Sequence, residues 1–278
     1  MASELISVIV PTWQRASFID ACLDAIVTQE GVDLEVLVCD DGSTDDTKER
    51  VAARNDARVR HLALEHSGLP AVARNFGVRA ARGELLAFCD SDDLWHPGHL
   101  ARLSAGLRRV PAASLVMTRS RLIRPDGVVF GEHPVIAEAS DDVPLARLVI
   151  GNVLPMSGAF ARRADVLAVG GFPEDPRAKA VEDYGLWLAL AQRGKVVILP
   201  ELDIDHVRHE GSLSMNGEVR ESHGIIYLMS LMTGPGVPAR AVRRTRSAMH
   251  HRLSRALWPS NKLESVRHEL LRRWTRWI

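Results

Sequence analysis

Three carboxylates fall within four positions of this chain, Asp90, Asp92 and Asp93, directly after the apolar run Leu85 to Cys89. Like charges this close raise one another's pKa unless a cation compensates, so such a cluster at the end of a strand points to a divalent-metal site. Hard oxygen ligands favour Mg²⁺ or Mn²⁺, ions that usually arrive with a phosphorylated substrate. A solvated acidic turn would explain an isolated Asp-x-Asp better; what argues for a site is the company these residues keep.

The elements that would position them lie upstream. Leu5 to Thr12, LISVIVPT, reads as an apolar strand, Ser17 to Gln29 as a helix, and Leu34 to Asp45, LEVLVCDDGSTD, as a second strand with its loop. Two strands joined by a helix make a parallel βαβ unit whose loops at the C-terminal strand ends share one crevice. Pro11, Thr12 and Asp41 are therefore expected beside Asp90 and Asp92. Capping by Ser43 or Thr44 of a helix begun by Asp45 and Asp46 accounts for the rest of DDGSTD, but not for Asp41.

Two further groups of chemically capable residues follow. In VEDYGLWLALAQR, Val181 to Arg193, Leu186, Leu190 and Trp187 fall at helical spacing. Glu182 and Asp183 then occupy the first helical turn, where the dipole favours negative charge. Downstream of the strand-like Val196 to Pro200 comes HVRHEGSLS, His206 to Ser214.

The succession VIVPT, VCDDGSTDDT, ARNFGVRAARGELLAFCDSDD, GGFPED, EDYGLWLAL and HVRHEGSLS, running from Ile6 to Ser214, resembles the family 2 glycosyltransferases with the GT-A fold. That resemblance implies an α/β fold with a mostly parallel nucleotide-binding sheet flanked by helices. It also implies inverting, metal-dependent transfer from a nucleotide-diphospho-sugar, a UDP-sugar by first preference, to a hydroxyl acceptor in cell-surface glycan or polysaccharide biosynthesis. Carried over residue by residue, Asp41 would accept from the nucleobase imide N–H, Pro11 and Thr12 would line base and ribose, and Arg74 would lie near the nucleotide. Asp90 would sit near the ribose or the metal, and Asp92 would be the Mn²⁺ or Mg²⁺ ligand bridging to the diphosphate. Asp93 would cap the next segment or orient its neighbours. Asp183 becomes the catalytic base, with Glu182 orienting the acceptor or supporting the helix start. Arg208 would meet phosphate and His209 would be a further metal ligand, with His206 its competitor. Met156 and Ser157 would touch the acceptor.

The length and apolar share, 278 residues at 46% hydrophobic, suit one large α/β domain with or without an appendage. We expect a catalytic domain over 1–236, divided into a nucleotide-binding half (1–110) and an acceptor half (111–236), and a basic helical tail over 237–278. Ser114 to Phe130 reads as two strands about a turn at Pro125-Asp126-Gly127. Cys22, Cys39 and Cys89 lack metal-like spacing and read as reduced residues of a cytoplasmic protein. MASELISVIVPT lacks the basic start of a signal peptide, and no stretch is long and apolar enough to span a bilayer.

Formal charge is zero, yet residues 239–278 hold eleven Lys or Arg against two Glu, a net of +9 balanced by −9 in the remainder. Val266, Leu270, Trp274 and Trp277 or Ile278 fall on one helical face, with Arg267, Arg272, Arg273 and Arg276 mostly elsewhere; Pro259 separates this helix from Leu253, Leu257 and Trp258. A basic amphipathic helix of this kind suits an anionic membrane surface on the cytoplasmic side. Packing on the catalytic domain or on the second subunit of a homodimer is the competing expectation. Nucleic acid is disfavoured because no nucleic-acid-binding fold surrounds the basic residues. Glycan, lipid-linked and small-molecule acceptors all stay open. A sugar-nucleotide nucleotidyltransferase would also use clustered Asp residues, but it calls for a glycine-rich N-terminal phosphate loop and leaves Asp183 and HVRHEGSLS unused. A non-catalytic sugar-nucleotide-binding scaffold would have no need of Asp92 and Asp183 together.

Overall fold

A computed structural model of the protein describes residues 4–133, 140, 142–152, 154–209, 218–233, 236–257 and 261–277. The chain opens with β1 (Leu5–Thr12), α1 (Ile19–Val27), β2 (Asp33–Asp40), α2 (Thr47–Ala53), β3 (Val59–Ala63), α3 (Pro70–Ala80) and β4 (Leu85–Phe88). These strands lie in the order β3-β2-β1-β4, all parallel. Helices cover both faces, so strand residues are apolar on both sides and read as continuous hydrophobic runs. Side-chain alternation divides them: Ile9, Leu37 and Phe88 enter one core cluster, while Val8, Val10, Val36 and Val38 enter the other. Gly77 lets α3 sit close to the sheet, since a Cβ there would lie 2.7 Å from Ile9 Cγ2 and 2.8 Å from Cys39 Sγ.

The loop chemistry after β2 differs from the expected cap. The helix starts at Thr47 because the DDGSTD side chains are drawn across to the β1–α1 loop. Ser43 Oγ accepts from Gln14 N at 2.9 Å, Thr47 Oγ1 from Arg15 N at 3.0 Å and Asp45 Oδ2 from Ala16 N at 3.0 Å. One polar segment thereby fixes the ends of two strands.

The second half adds β5 (Leu94–Trp95), α4 (His99–Arg109), β6 (Ala113–Ile123), β7 (Val129–His133), α5 (Leu145–Leu148), β8 (Ala159–Arg162), α6 (Arg163–Ala168), α7 (Glu182–Ala191) and β9 (Lys195–Val207). Here the sheet is mixed: β8 lies antiparallel between β4 and β6, β9 runs parallel to β6, and β5 closes antiparallel on β9. The β6–β7 hairpin turns at Pro125-Asp126-Gly127 as expected, with Gly127 at φ +83°. In Asn152 to Phe172, a short 3-10 turn at Met156–Gly158 precedes β8, and α6 follows it.

Three helices complete the chain: α8 (Glu218–Leu231), α9 (Ala239–Leu257) and α10 (Lys262–Trp277). Helices α9 and α10 form an antiparallel hairpin held by Ser247 Oγ to Arg272 O, His250 Nδ1 to His268 Nδ1 at 2.9 Å and Ser265 Oγ to Ser254 O at 2.6 Å. The hairpin packs on the body through buried Val242 and through Thr245 Oγ1, which donates to Val149 O at 2.7 Å. The outer face of α10 carries Leu263, Val266 and Leu270, which are 85, 48 and 61% exposed. The side chains of Trp274 and Trp277, together with Trp258, Pro259 and Ile278, lie outside the described residues. No helix among the described residues is long and apolar enough to cross a membrane. All three cysteines are free and buried, and burial pushes the Cys39 thiol up to about 12.

Candidate active site

The acidic loop leaves β4 and is held from within. Asp93 is 1% exposed; its Oδ2 accepts from Ser157 Oγ and lies 2.9 Å from His206 Nδ1, and its Oδ1 accepts from Val207 N at 3.2 Å. Ser157 Oγ in turn accepts from Asp90 N at 2.9 Å. Burial raises the Asp93 pKa, with His206 pulling the other way; burial alone would lower the His206 pKa, but the facing Asp93 raises it. Asp93 therefore joins three segments far apart in sequence, and Ser157 is spent beneath the loop rather than turned toward an acceptor.

Asp92 and Asp90 part company above this hub. Asp92 Oδ2 lies 3.0 Å from His209 Nε2 and 3.5 Å from Arg15 Nε, and the His209 ring stacks on Phe18 at 4.7 Å. Asp90 Oδ1 instead accepts from Arg74 Nη2 at 2.8 Å. The neighbouring nitrogen of the same guanidinium, Nη1, donates to Glu182 Oε1 at 2.7 Å. Arg74 is buried, and burial alone would lower its pKa, but the two carboxylates raise it, so it stays charged. Glu182, also buried, supports the start of α7 through this pair.

The next residue along α7 is Asp183. Its Oδ1 accepts from Tyr184 N at 2.6 Å, and both oxygens lie 3.2 Å from Asn152 Nδ2. Burial, followed by the charge of Glu182, raises its pKa to about 7; Arg74, Tyr184 N–H and Asn152 oppose the rise. A carboxylate so tuned can exchange a proton near neutral pH.

At the opposite end of the crevice, Asp41 Oδ1 accepts from Ser67 N and Ser67 Oγ at 2.8 Å each, and Oδ2 from Gly68 N at 2.9 Å. His66 Nδ1 lies 3.1 Å from Asp41 Oδ2, and Trp13 stacks on His66 at 5.0 Å. Thr12 Oγ1 is buried with no hydrogen-bond partner among the described residues. Pro11 lies buried beside it on β1.

Residues 7–130 match the family model described as glycosyl transferase family 2. The chain is 42% identical over 224 residues to the succinoglycan biosynthesis protein ExoO of Rhizobium meliloti (strain 1021), covering 75% of this chain and 62% of that protein. The chain belongs to glycosyl transferase family 2. Its fold matches that of Staphylococcus aureus TarS 1–349 in complex with UDP-GlcNAc, with a TM-score of 0.77 at 21% identity, over 96% of this chain and 79% of that one. It also matches the mannosyltransferase PcManGT of Pyrobaculum calidifontis in complex with GDP-Man and Mn²⁺, with a TM-score of 0.65 at 21% identity, over 95% of this chain and 78% of that one. The fold is thus GT-A. The chain spans less than two thirds of its curated relatives, 62% of ExoO and 23% of two longer synthases.

Within this family 2 chain, the described residues offer no group of three His, Cys, Asp or Glu placed to hold a metal. They offer a pair, Asp92 and His209, at 3.0 Å. A carboxylate and an imidazole suit Mn²⁺, which completes its shell with water and substrate phosphate, so the donor set fits such an ion. Arg208 N donates to Ile123 O at 2.9 Å, which fixes the segment carrying both Arg208 and His209. Glu210 to Ser214 lie outside the described residues. Met156 is buried in the 3-10 turn beside Ser157. Sequence reasoning missed the roles of Asn152 and Arg15; an amide and a guanidinium in loops carry no periodic signal, and only their distance to Asp183 and Asp92 reveals them.

Proposed function

We propose that this protein is an inverting, metal-dependent glycosyltransferase that moves a sugar from a nucleotide-diphospho-sugar, a UDP-sugar by first preference, to a hydroxyl of a glycan acceptor in polysaccharide or cell-surface glycan biosynthesis. The observation that carries this reading is Arg74, whose guanidinium is shared by Asp90 of the acidic loop and Glu182 of the helix bearing Asp183. Its two terminal nitrogens link the acidic loop after β4 to the helix that carries Asp183, which supports a donor site and a base in one crevice.

In this reading Asp183 accepts the proton of the acceptor hydroxyl while the oxygen attacks the anomeric carbon from the face opposite the nucleotide, and a single displacement inverts the centre. Asp92 and His209 would hold Mn²⁺ or Mg²⁺, with Asp90 adjacent. The ion would supply Lewis-acid neutralisation of charge on the departing diphosphate. Arg208 would add a charge-assisted contact to phosphate. Asp41, Pro11 and the orphaned Thr12 hydroxyl would receive the nucleoside. Met156 is the acceptor-side contact we retain; Ser157 and Glu182 act by holding the acidic loop and α7. Arg74 acts on the nucleotide side through Asp90.

The tail adds a membrane reading. Leu263, Val266 and Leu270 face outward on a segment whose net charge is +9, a combination suited to an anionic bilayer carrying a lipid-linked acceptor. Sedimentation with anionic vesicles tests it, and binding that survives removal of residues 239–278 would refute it.

Titration calorimetry with UDP, TDP and GDP, each with and without Mn²⁺, tests the donor site. We expect Mn²⁺-dependent binding of UDP that Asp92→Ala abolishes. Binding of none of the three by folded protein would overturn the donor-site assignment.

A further inference from the structure

We infer that Asn152 is a positioning residue for Asp183, holding its carboxylate from the loop after α5, and that the tail helix α9 fixes this loop. The inference deepens the reading of Asp183 as the base and rests on it.

Asn152 Nδ2 lies 3.2 Å from each oxygen of Asp183. A donor equidistant from both oxygens sits on the bisector of the carboxylate and restrains rotation about its last torsion. The side chain's own oxygen faces Leu154 N at 3.4 Å, so the amide presents its nitrogen to Asp183. Among the described residues, the other groups around Asp183 are Tyr184 N, which bonds Oδ1 alone, and the charges of Glu182 and Arg74. Asn152 is thus the side-chain donor that sets the plane of the carboxylate.

A positioning group works only if its own backbone is held. Leu148 O accepts from Tyr184 Oη at 2.6 Å, tying the loop to α7 itself. Val149 O accepts from Thr245 Oγ1 at 2.7 Å, tying it to α9. Leu148 and Val149 are buried, whereas Ile150 is 63% exposed and open space surrounds Gly151. The loop is therefore pinned at one end, turns back on α5 at its solvent-facing crest through Ile150 N to Arg147 O and Gly151 N to Leu148 O, and returns to the body at Asn152. Both anchors come from elements distant in sequence, one bearing the base and one belonging to the basic tail.

The test reads Asp183 directly. In protein labelled with ¹³C at the Asp side-chain carboxyl, the Asp183 resonance is assigned by its loss in Asp183→Asn and titrated from pH 5 to 9. Deleting the donor in Asn152→Ala withdraws support from the charged form, so the titration midpoint should move upward. Thr245→Val, which keeps side-chain shape and removes the anchor, should move it the same way by less. UDP release from UDP-GlcNAc with Mn²⁺ should fall roughly 10- to 100-fold in Asn152→Ala at unchanged UDP affinity. A structural role alone would lower the melting temperature without moving the midpoint. A midpoint in folded Asn152→Ala equal to that of the wild type overturns the inference. Asn152→Gln, which displaces the amide by one methylene, serves if Asn152→Ala does not fold, with the same two outcomes. The base reading fails separately, if Asp183→Asn releases UDP at the wild-type rate.

Discussion

In β1 and β2 every residue after the first is buried, and Ile, Val and Leu fill most of both faces, with the buried pair Ser7–Glu35 set among them. In α10 the arrangement is reversed: Ser265 and His268 turn inward while Leu263, Val266 and Leu270 face solvent. The carboxylates of the candidate site gather at the strand ends, Asp41 after β2 and Asp90, Asp92 and Asp93 after β4. The hairpin has placed polar groups between its helices, where each hydrogen bond contributes about 0.5–1.5 kcal/mol net and mainly sets register. The body thus packs an apolar sheet beneath the candidate site, whereas the hairpin turns apolar side chains outward.

This contrast breaks first at Asp183. Asp183→Asn should lower transfer, read as UDP release, by roughly two to four orders of magnitude while UDP affinity holds. The same change should also raise stability at alkaline pH. With its pKa lifted to about 7, the native carboxyl holds its proton more tightly than the unfolded one, so stability falls as pH rises from the ordinary carboxylate range through 7. The gain in melting temperature should therefore be larger at pH 8 than at pH 5. Arg74→Leu should cost about 3–5 kcal/mol, measured by denaturant unfolding, because it strands Asp90 and buried Glu182 without their shared cation. A loss below about 1 kcal/mol would show that the body relaxes more than its packing implies.

The hairpin should respond to pH where the sheet does not. Burial, followed by His268 and Arg246, pushes the His250 pKa down to about 4. The open form takes up a proton near the ordinary histidine value and the packed form only near 4, so hairpin stability should fall as pH drops through that window. Hydrogen exchange, corrected for intrinsic rates, should show α9 and α10 losing protection there while β1 and β2 keep theirs. Leu263→Ser combined with Leu270→Ser should be the mildest change, within about 0.5 kcal/mol of wild-type stability. Loss of binding to anionic vesicles in that double variant would sharpen the contrast; unchanged binding would move the contact elsewhere.

Much of the body was legible because its signals are local. An eight-residue apolar run becomes β1 whatever lies around it, and Pro-Asp-Gly turns a hairpin by its own backbone preferences. The placement of Asp41 after β2, of Asp90 and Asp92 after β4 and of Asp183 on the first turn of a helix could likewise be read from the strand and helix patterns. Contacts between distant segments were opaque. Asp93 was left between capping and orienting, and its partners Ser157 and His206 lie 64 and 113 residues away. The DDGSTD side chains looked like local caps because nothing nearby in sequence reveals that Gln14 and Ala16 compete for them. In α10 Val266 and Leu270 of the expected stripe share an outward face, and whether they pointed in or out depended on α9.

The shared guanidinium of Arg74 also limits how this protein can be recombined. Its two partners come from distant parts of the chain, Asp90 from the loop after β4 and Glu182 from the start of α7. A chimera joined between them imports a foreign carboxylate to face Arg74, or none at all, leaving a cation buried without its second counter-ion. A segment carrying α7 can therefore be exchanged without stranding Arg74 only between chains that keep an acidic residue at the position of Glu182, whatever else their loops have changed.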